Sequence, residues 1–197
     1  MPPLSILPGE PPLSLDGLPG AEQEAIDIAA LRNTEPILGN AATKASVVQK
    51  MSNARIIHLA THGILDEFQG LNGGVVLAAD GTGEFNDGLL TAAEIAQMEL
   101  NAELVVLSAC NTGQGRITGD GVVGLSRSLI LAGVPSGVVS LWAVPDQPTG
   151  ELMVEFYQQM ETTDNKAQAL RQAMLNIRVK YPDPVAWAGF TLIGEDK

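Results

Sequence analysis

His62 and Cys110 are the residues of this chain best suited to covalent catalysis. Cys110 is its only cysteine and His62 one of its two histidines. Each closes an apolar, β-branched run: residues 55–60 lead into Thr61-His62-Gly63, and residues 104–107 into Ser108-Ala109-Cys110. Two strands ending in this way place an imidazole and a thiol on loops at the carboxyl edge of a sheet, where open α/β folds keep their sites. A free cysteine titrates near about 8.5, so a neighbouring imidazole is needed to raise the thiolate fraction and later to protonate a leaving amine. Gly63 has no Cβ and lets a substrate carbonyl come close to the backbone. Its N–H and that of Cys110 are the expected donors to an oxyanion.

Blander roles compete for the same residues. Cysteine is among the most buried residue types, and a cysteine at a strand end is often simply core. His58, between Ile57 and Leu59, reads as a buried, hydrogen-bonded core histidine. Gly119-Asp120-Gly121-Val122-Val123-Gly124 spells G-x-G-x-x-G, with Asp146 a little over twenty residues on. A dinucleotide loop begins directly after its strand, whereas here about nine residues intervene after Ala109, so these glycines read as helix-packing positions.

Composition limits the partners. The 197 residues are 45% hydrophobic, enough for one sizeable core. A single cysteine allows no internal disulfide, and nothing suggests an oxidising compartment. Acidic residues number 23 against 11 basic ones, for a net charge of −12. That excess repels phosphate backbones and anionic membranes. No run of eighteen apolar residues goes unbroken, and Met1-Pro2-Pro3-Leu4 lacks the pattern of a signal peptide. The expected location is cytoplasmic.

The elements that must hold the two loops alternate along the chain. Residues 1–19 include Pro2, Pro3, Pro8, Pro11, Pro12 and Pro19 and read as an extended arm. Helical periodicity covers 21–33, with Ala25, Ile28 and Leu31 as an apolar edge. A short strand is expected at 36–38, a helix capped by Thr43, strands at 55–60 and 74–78, and turn chemistry from Asp80 to Gly83. Thr91 and Glu94 form a capping box for a helix through Met98. A buried strand at 104–107 is followed by a small, polar loop from Asn111 to Asp120, then a helix over 121–132 stopped by Gly133. A strand at 137–142, helices at 149–161 and 166–180 and a strand at 190–193 complete a helix/sheet/helix sandwich with a mostly parallel sheet.

The ordered set Leu59-Ala60-Thr61-His62-Gly63, Leu107-Ser108-Ala109-Cys110-Asn111-Thr112-Gly113, Gly121-Val122-Val123-Gly124-Leu125, Ser140-Leu141-Trp142 with Asp146 and Thr149, and Trp187 through Gly194 resembles the CHAT domain. This is a caspase-like domain associated with tetratricopeptide repeats. The separation of 48 positions from His62 to Cys110 agrees with the caspase-type spacing. The resemblance implies a three-layer, caspase-like α/β fold over residues 20–197, in a clan of cysteine peptidases with a His/Cys dyad at His62 and Cys110. It places Ser140, Trp142 and Asp146 beside the substrate. Asp146 would pair with a basic side chain before the scissile bond, or else serve a helix start near Pro148 and Thr149. Domains of this family usually have a further strand before the matching segment, so the chain looks truncated at its N-terminal edge. The expected function is a cysteine endopeptidase that cleaves a protein or peptide through an acyl-enzyme, with no metal or organic cofactor, under control of attached repeats or a partner. Its rivals are a catalytically silent interaction module on the same scaffold and a nucleotide-binding regulatory domain. The loop after Cys110 carries Asn111, Gly113, Gly115 and Thr118, residues suited to rearrangement. A zymogen-like chain with its dyad drawn apart is expected.

Overall fold

Consecutive strand residues face opposite sides of a sheet, so a run that is apolar at every position needs a layer against both faces. That is the environment of the two runs that precede His62 and Cys110. The structure, a computed structural model, describes residues 15–64, 73–81, 87–109 and 119–197, the side chains of 119–124 excepted. In chain order the elements are α1 (Pro19–Leu31), α2 (Lys44–Met51), β1 (Ile56–Thr61), β2 (Gly63–Ile64), β3 (Gly74–Val76), β4 (Leu89–Thr91) and α3 (Ala92–Ala96). They continue with β5 (Leu104–Ala109), α4 (Gly119–Leu131), β6 (Ser136–Ser140), α5 (Asp146–Gln159), α6 (Lys166–Lys180) and β7 (Phe190–Gly194).

The main sheet has the order β1-β5-β6-β7. β1, β5 and β6 run parallel, and β7 runs antiparallel to β6. Residue parity sorts the core. Ile57 and Leu59 of β1 and Val105 and Leu107 of β5 point into a cluster with Val47 and Met51 of α2, Ile95 of α3 and Leu129 of α4. Leu104, Val106 and Val138 point the other way, against Ile28 of α1, Phe156 and Tyr157 of α5, and Leu170 and Ile177 of α6. Each fully buried side chain of this size contributes about 1.5–3 kcal/mol, so the two layers fix the sheet from both sides. The mostly parallel helix/sheet/helix architecture is the one expected.

Local signals set most boundaries. The hydroxyl oxygen of Thr43 accepts from the Ser46 N–H at 3.3 Å at the start of α2. In the capping box of α3, Thr91 N–H donates to Glu94 at 2.9 Å and Glu94 N–H donates to the Thr91 hydroxyl at 3.2 Å. Gly133 ends α4 with φ of +96°, a conformation that favours glycine. α6 matches its expected span, while α1 starts earlier, at Pro19, because proline suits a first helical turn.

Three expectations are corrected. Residues 36–38 are not a strand: among the described residues they pair with no neighbouring strand, and they lead into a short 3₁₀ turn at Gly39–Ala41. The segment beginning at Gly74 lies outside the main sheet, in a three-stranded antiparallel sheet of order β2-β3-β4. The cause is the chain path after His62, where β2 forms at once and the Val76 N–H donates to the His62 carbonyl at 2.8 Å. α3 stops at Ala96 rather than Met98. Residues 1–14 of the proline-rich arm, Thr82 and Gly83 of the expected turn, and residues 110–118 with the post-Cys loop lie outside the described residues.

Candidate active site

The register of β1 and β5 sets the edge at which the candidate site lies. β1 and β5 are parallel with Thr61 opposite Ala109. Both strands end at that rung, and the next residues in sequence are His62 and Cys110. Thr61 and Ala109, 48 positions apart in the chain, are thus brought to one rung by strand pairing alone. Cys110 itself, the thiol–imidazole separation and the zymogen-like arrangement of its loop lie outside the described residues.

His62 is only 2% exposed. Its Nε2 lies 2.8 Å from the backbone carbonyl oxygen of Asp16, in the segment ahead of α1. A carbonyl can only accept, so Nε2 carries the hydrogen, and in the neutral ring the basic lone pair is at Nδ1. A buried, oriented imidazole of fixed tautomer is what a general base requires. Gly63 is buried and paired with Val75 in β2 and β3. A Cβ at Gly63 would stand 3.3 Å from the Ala109 methyl, a tight contact, so the close approach of the two strand ends favours glycine there.

The residues expected beside the substrate are engaged in building the edge. Ser140, at the end of β6, donates its hydroxyl to the Ala109 carbonyl at 3.1 Å and ties the third strand to the residue before Cys110. Trp142 is half-buried; its indole N–H donates to the Val185 carbonyl at 3.4 Å, bracing it against the segment that precedes β7. Asp146 is corrected most. Its carboxylate accepts from the N–H of Gly20 at 2.6 Å and of Ala21 at 3.0 Å, so both oxygens serve the first turn of α1. N–H groups in the first turn of a helix have no partner within the helix, and with Pro19 lacking one the carboxylate takes the next two. The helix-start alternative is the one observed, although the helix capped is α1 and not Asp146's own α5.

His58 is hydrogen-bonded within the helix-covered face as expected, but it is part-buried rather than fully buried, its side chain 10% exposed at the edge strand β1. Its Nε2 is 2.7 Å from Glu24 Oε1 and its Nδ1 is 3.2 Å from the Tyr157 hydroxyl. Glu24 and Tyr157 are 2% and 1% exposed. Burial, followed by the negative charge of Glu24, pushes the Tyr157 phenol well above its ordinary value, with Arg32 opposing, so the hydroxyl stays protonated. The Ser108 hydroxyl, on the rung before Ala109, is buried and makes no hydrogen bond. Asp16, Glu24 and Tyr157 were missed by sequence reasoning. Only Glu24 left a signal: it falls on the stripe Ala21, Glu24, Ile28, where a carboxylate among apolar positions requires a buried partner.

The G-x-G-x-x-G run forms the opening turns of α4 rather than a loop directly after a strand. Among the described residues no group of three or more His, Cys, Asp or Glu side chains is arranged to hold a metal ion. None of the described helices is long and apolar enough to cross a membrane.

The sequence profile of the CHAT domain family matches residues 9–195. The chain is also similar to tetratricopeptide repeat protein 28 of Mus musculus, 29% identical over 211 residues that cover 91% of this chain and 9% of that protein. The same protein of Homo sapiens is likewise 29% identical, with 8% of its length covered. The chain therefore spans less than a tenth of the length of these curated relatives.

Proposed function

Since the chain belongs to the CHAT domain family, we propose that it is a caspase-like cysteine endopeptidase in which His62 activates Cys110 for attack on a peptide carbonyl. The observation that carries this reading is the rung Thr61–Ala109, which ends both strands and is followed in sequence by His62 on one and Cys110 on the other. His62 takes the thiol proton at Nδ1 while Nε2 stays on the Asp16 carbonyl. The thiolate attacks, and the backbone N–H groups of Gly63 and Cys110 receive the developing oxyanion. His62 then returns its proton to the leaving amine, and water hydrolyses the acyl-enzyme. Trp142 offers its ring as an apolar wall for the residue before the scissile bond. No step needs a metal or organic cofactor. The name of the relatives supports attached repeats in a longer protein; in this reading the repeats regulate the domain, the protein is cytoplasmic and the substrate is a protein.

The test is labelling by a peptide acyloxymethyl ketone. The native chain is expected to be labelled at Cys110, with loss of labelling on denaturation and in Cys110→Ala and His62→Ala. A folded chain that takes no label from a panel of such peptides, alone or joined to its repeats, is a binding module with a caspase-like scaffold.

A further inference from the structure

The cluster Glu24–His58–Tyr157 is built too specifically to be filler between layers. It joins three elements, α1, β1 and α5, at 2.7 Å and 3.2 Å, with Glu24 and Tyr157 buried and His58 part-buried between them. The Glu24 carboxylate accepts from His58 Nε2–H, and the neutral ring then accepts at Nδ1 from the Tyr157 hydroxyl. Every polar atom of the imidazole is thereby satisfied and its orientation fixed. His58 also lies on the strand that delivers His62, four residues earlier.

The second anchor is at the other end of the same half of α1. Asp146 of α5 holds the N–H groups of Gly20 and Ala21. Gly150 of α5 allows α1 to approach closely: a Cβ there would stand 3.2 Å from the Gly20 carbonyl oxygen and 3.4 Å from Glu24 Cβ. The first half of α1 is therefore clamped between β1 and α5 at two points about a turn apart. Only Gly17 and Leu18 separate that clamped helix from Asp16, whose carbonyl holds His62 Nε2. The position of the carbonyl follows the position of α1.

We propose that Glu24, His58 and Tyr157 are positioning residues for the catalytic imidazole: by pinning α1 to β1 they keep the Asp16 carbonyl on His62 Nε2 and so fix the tautomer and orientation of that ring. This rests on the dyad reading above. A merely structural cluster would change the melting temperature and leave the chemistry of the folded protein alone.

The chain's single cysteine makes the test direct. The rate of alkylation by iodoacetamide is measured against pH, well below the melting temperature, for the parent chain and for Glu24→Ala, Glu24→Gln, Tyr157→Phe and His62→Ala. The parent is expected to react with a midpoint below the ordinary thiol value of about 8.5. Glu24→Ala and Tyr157→Phe should raise that midpoint by up to about one unit, close to tenfold in rate at acid pH, toward the His62→Ala profile. Glu24→Gln keeps an acceptor for His58 Nε2–H and should restore the parent profile. Should Glu24→Ala fail to fold, Tyr157→Phe, which removes one oxygen and keeps the ring, carries the comparison. If His62→Ala raises the midpoint while the folded cluster variants keep the parent's, the positioning role is overturned and the dyad stands. A parent midpoint at the ordinary thiol value, unmoved by His62→Ala, overturns the dyad and this inference with it.

Discussion

The Ser140 hydroxyl reaches across from β6 to the Ala109 carbonyl at 3.1 Å, so the third strand of the sheet grips the second at the last residue before Cys110. β5 is thereby held from both sides at its end, by β1 through the Thr61 rung and by β6 through a side chain. Ser140→Ala is expected to lower stability by about 1 kcal/mol, the usual net value of one such bond. It should also slow electrophile labelling of Cys110 more than Ser136→Ala, which removes a hydroxyl at the opposite end of β6. Urea melts and labelling rates measure the two effects.

Asp146 is expected to matter for folding, because its carboxylate caps α1. Asp146→Ala should cost about 1–2 kcal/mol, with Asp146→Asn intermediate because the amide retains one acceptor. In a library of peptide substrates, Asp146→Asn should leave the ranking of basic against aliphatic side chains before the scissile bond unchanged.

Gly74 sits where β3 crosses β4, and a Cβ there would fall 2.2 Å from the Leu90 carbonyl oxygen. Backbone cannot yield as a side-chain tip can. Gly74→Ala should therefore destabilise by about 2 kcal/mol or more and loosen the small sheet that begins one residue after His62. Hydrogen exchange at the amides of Val76 and Ala92, which donate to the carbonyls of His62 and Gly73, would report it.

Acid should weaken the capping box of α3. Burial alone would raise the Glu94 carboxyl, but hydrogen bonds from Lys44 and from the Thr91 N–H and hydroxyl outweigh it and hold the group below its ordinary value. The folded state therefore favours the charged form. This contribution is complete above the unfolded value of about 4.3 and is lost as pH falls through the lower folded value. Glu94→Gln should flatten that part of the acid limb in a plot of denaturation midpoint against pH, with little change in its shape above neutrality.

Periodicity and capping chemistry made the layers readable, because the run at 104–107 is apolar on both faces, Ile57 and Leu59 mark the buried face of 55–60, and Thr43, Thr91 and Gly133 carry boundary chemistry in their own side chains or lack of one. What escaped was whatever depended on contacts remote in sequence. Asp16 orients His62 through a carbonyl, a group every residue possesses. Asp146 serves a helix more than a hundred residues away. The strands β2 and β4 are too short to show a period, and β3 leaves the main sheet because the chain turns directly after His62. His58 was legible as core from its flanking residues, yet its partners Glu24 and Tyr157 come from two other helices.

The reversed direction of β7 gives the molecule a polarity. Gly194 pairs with Ser136, and Glu195 bonds on to Pro135, so the chain's last residues lie where β6 begins. Asp16 lies at the opposite edge, against His62. A module joined ahead of the described segment would be tethered within reach of the imidazole, while one joined behind Lys197 would start on the far side of the sheet. Immobilisation through the C-terminus is therefore the geometry that leaves the site open, and a ligand or repeat array acting through the other end has the shorter mechanical route to the chemistry.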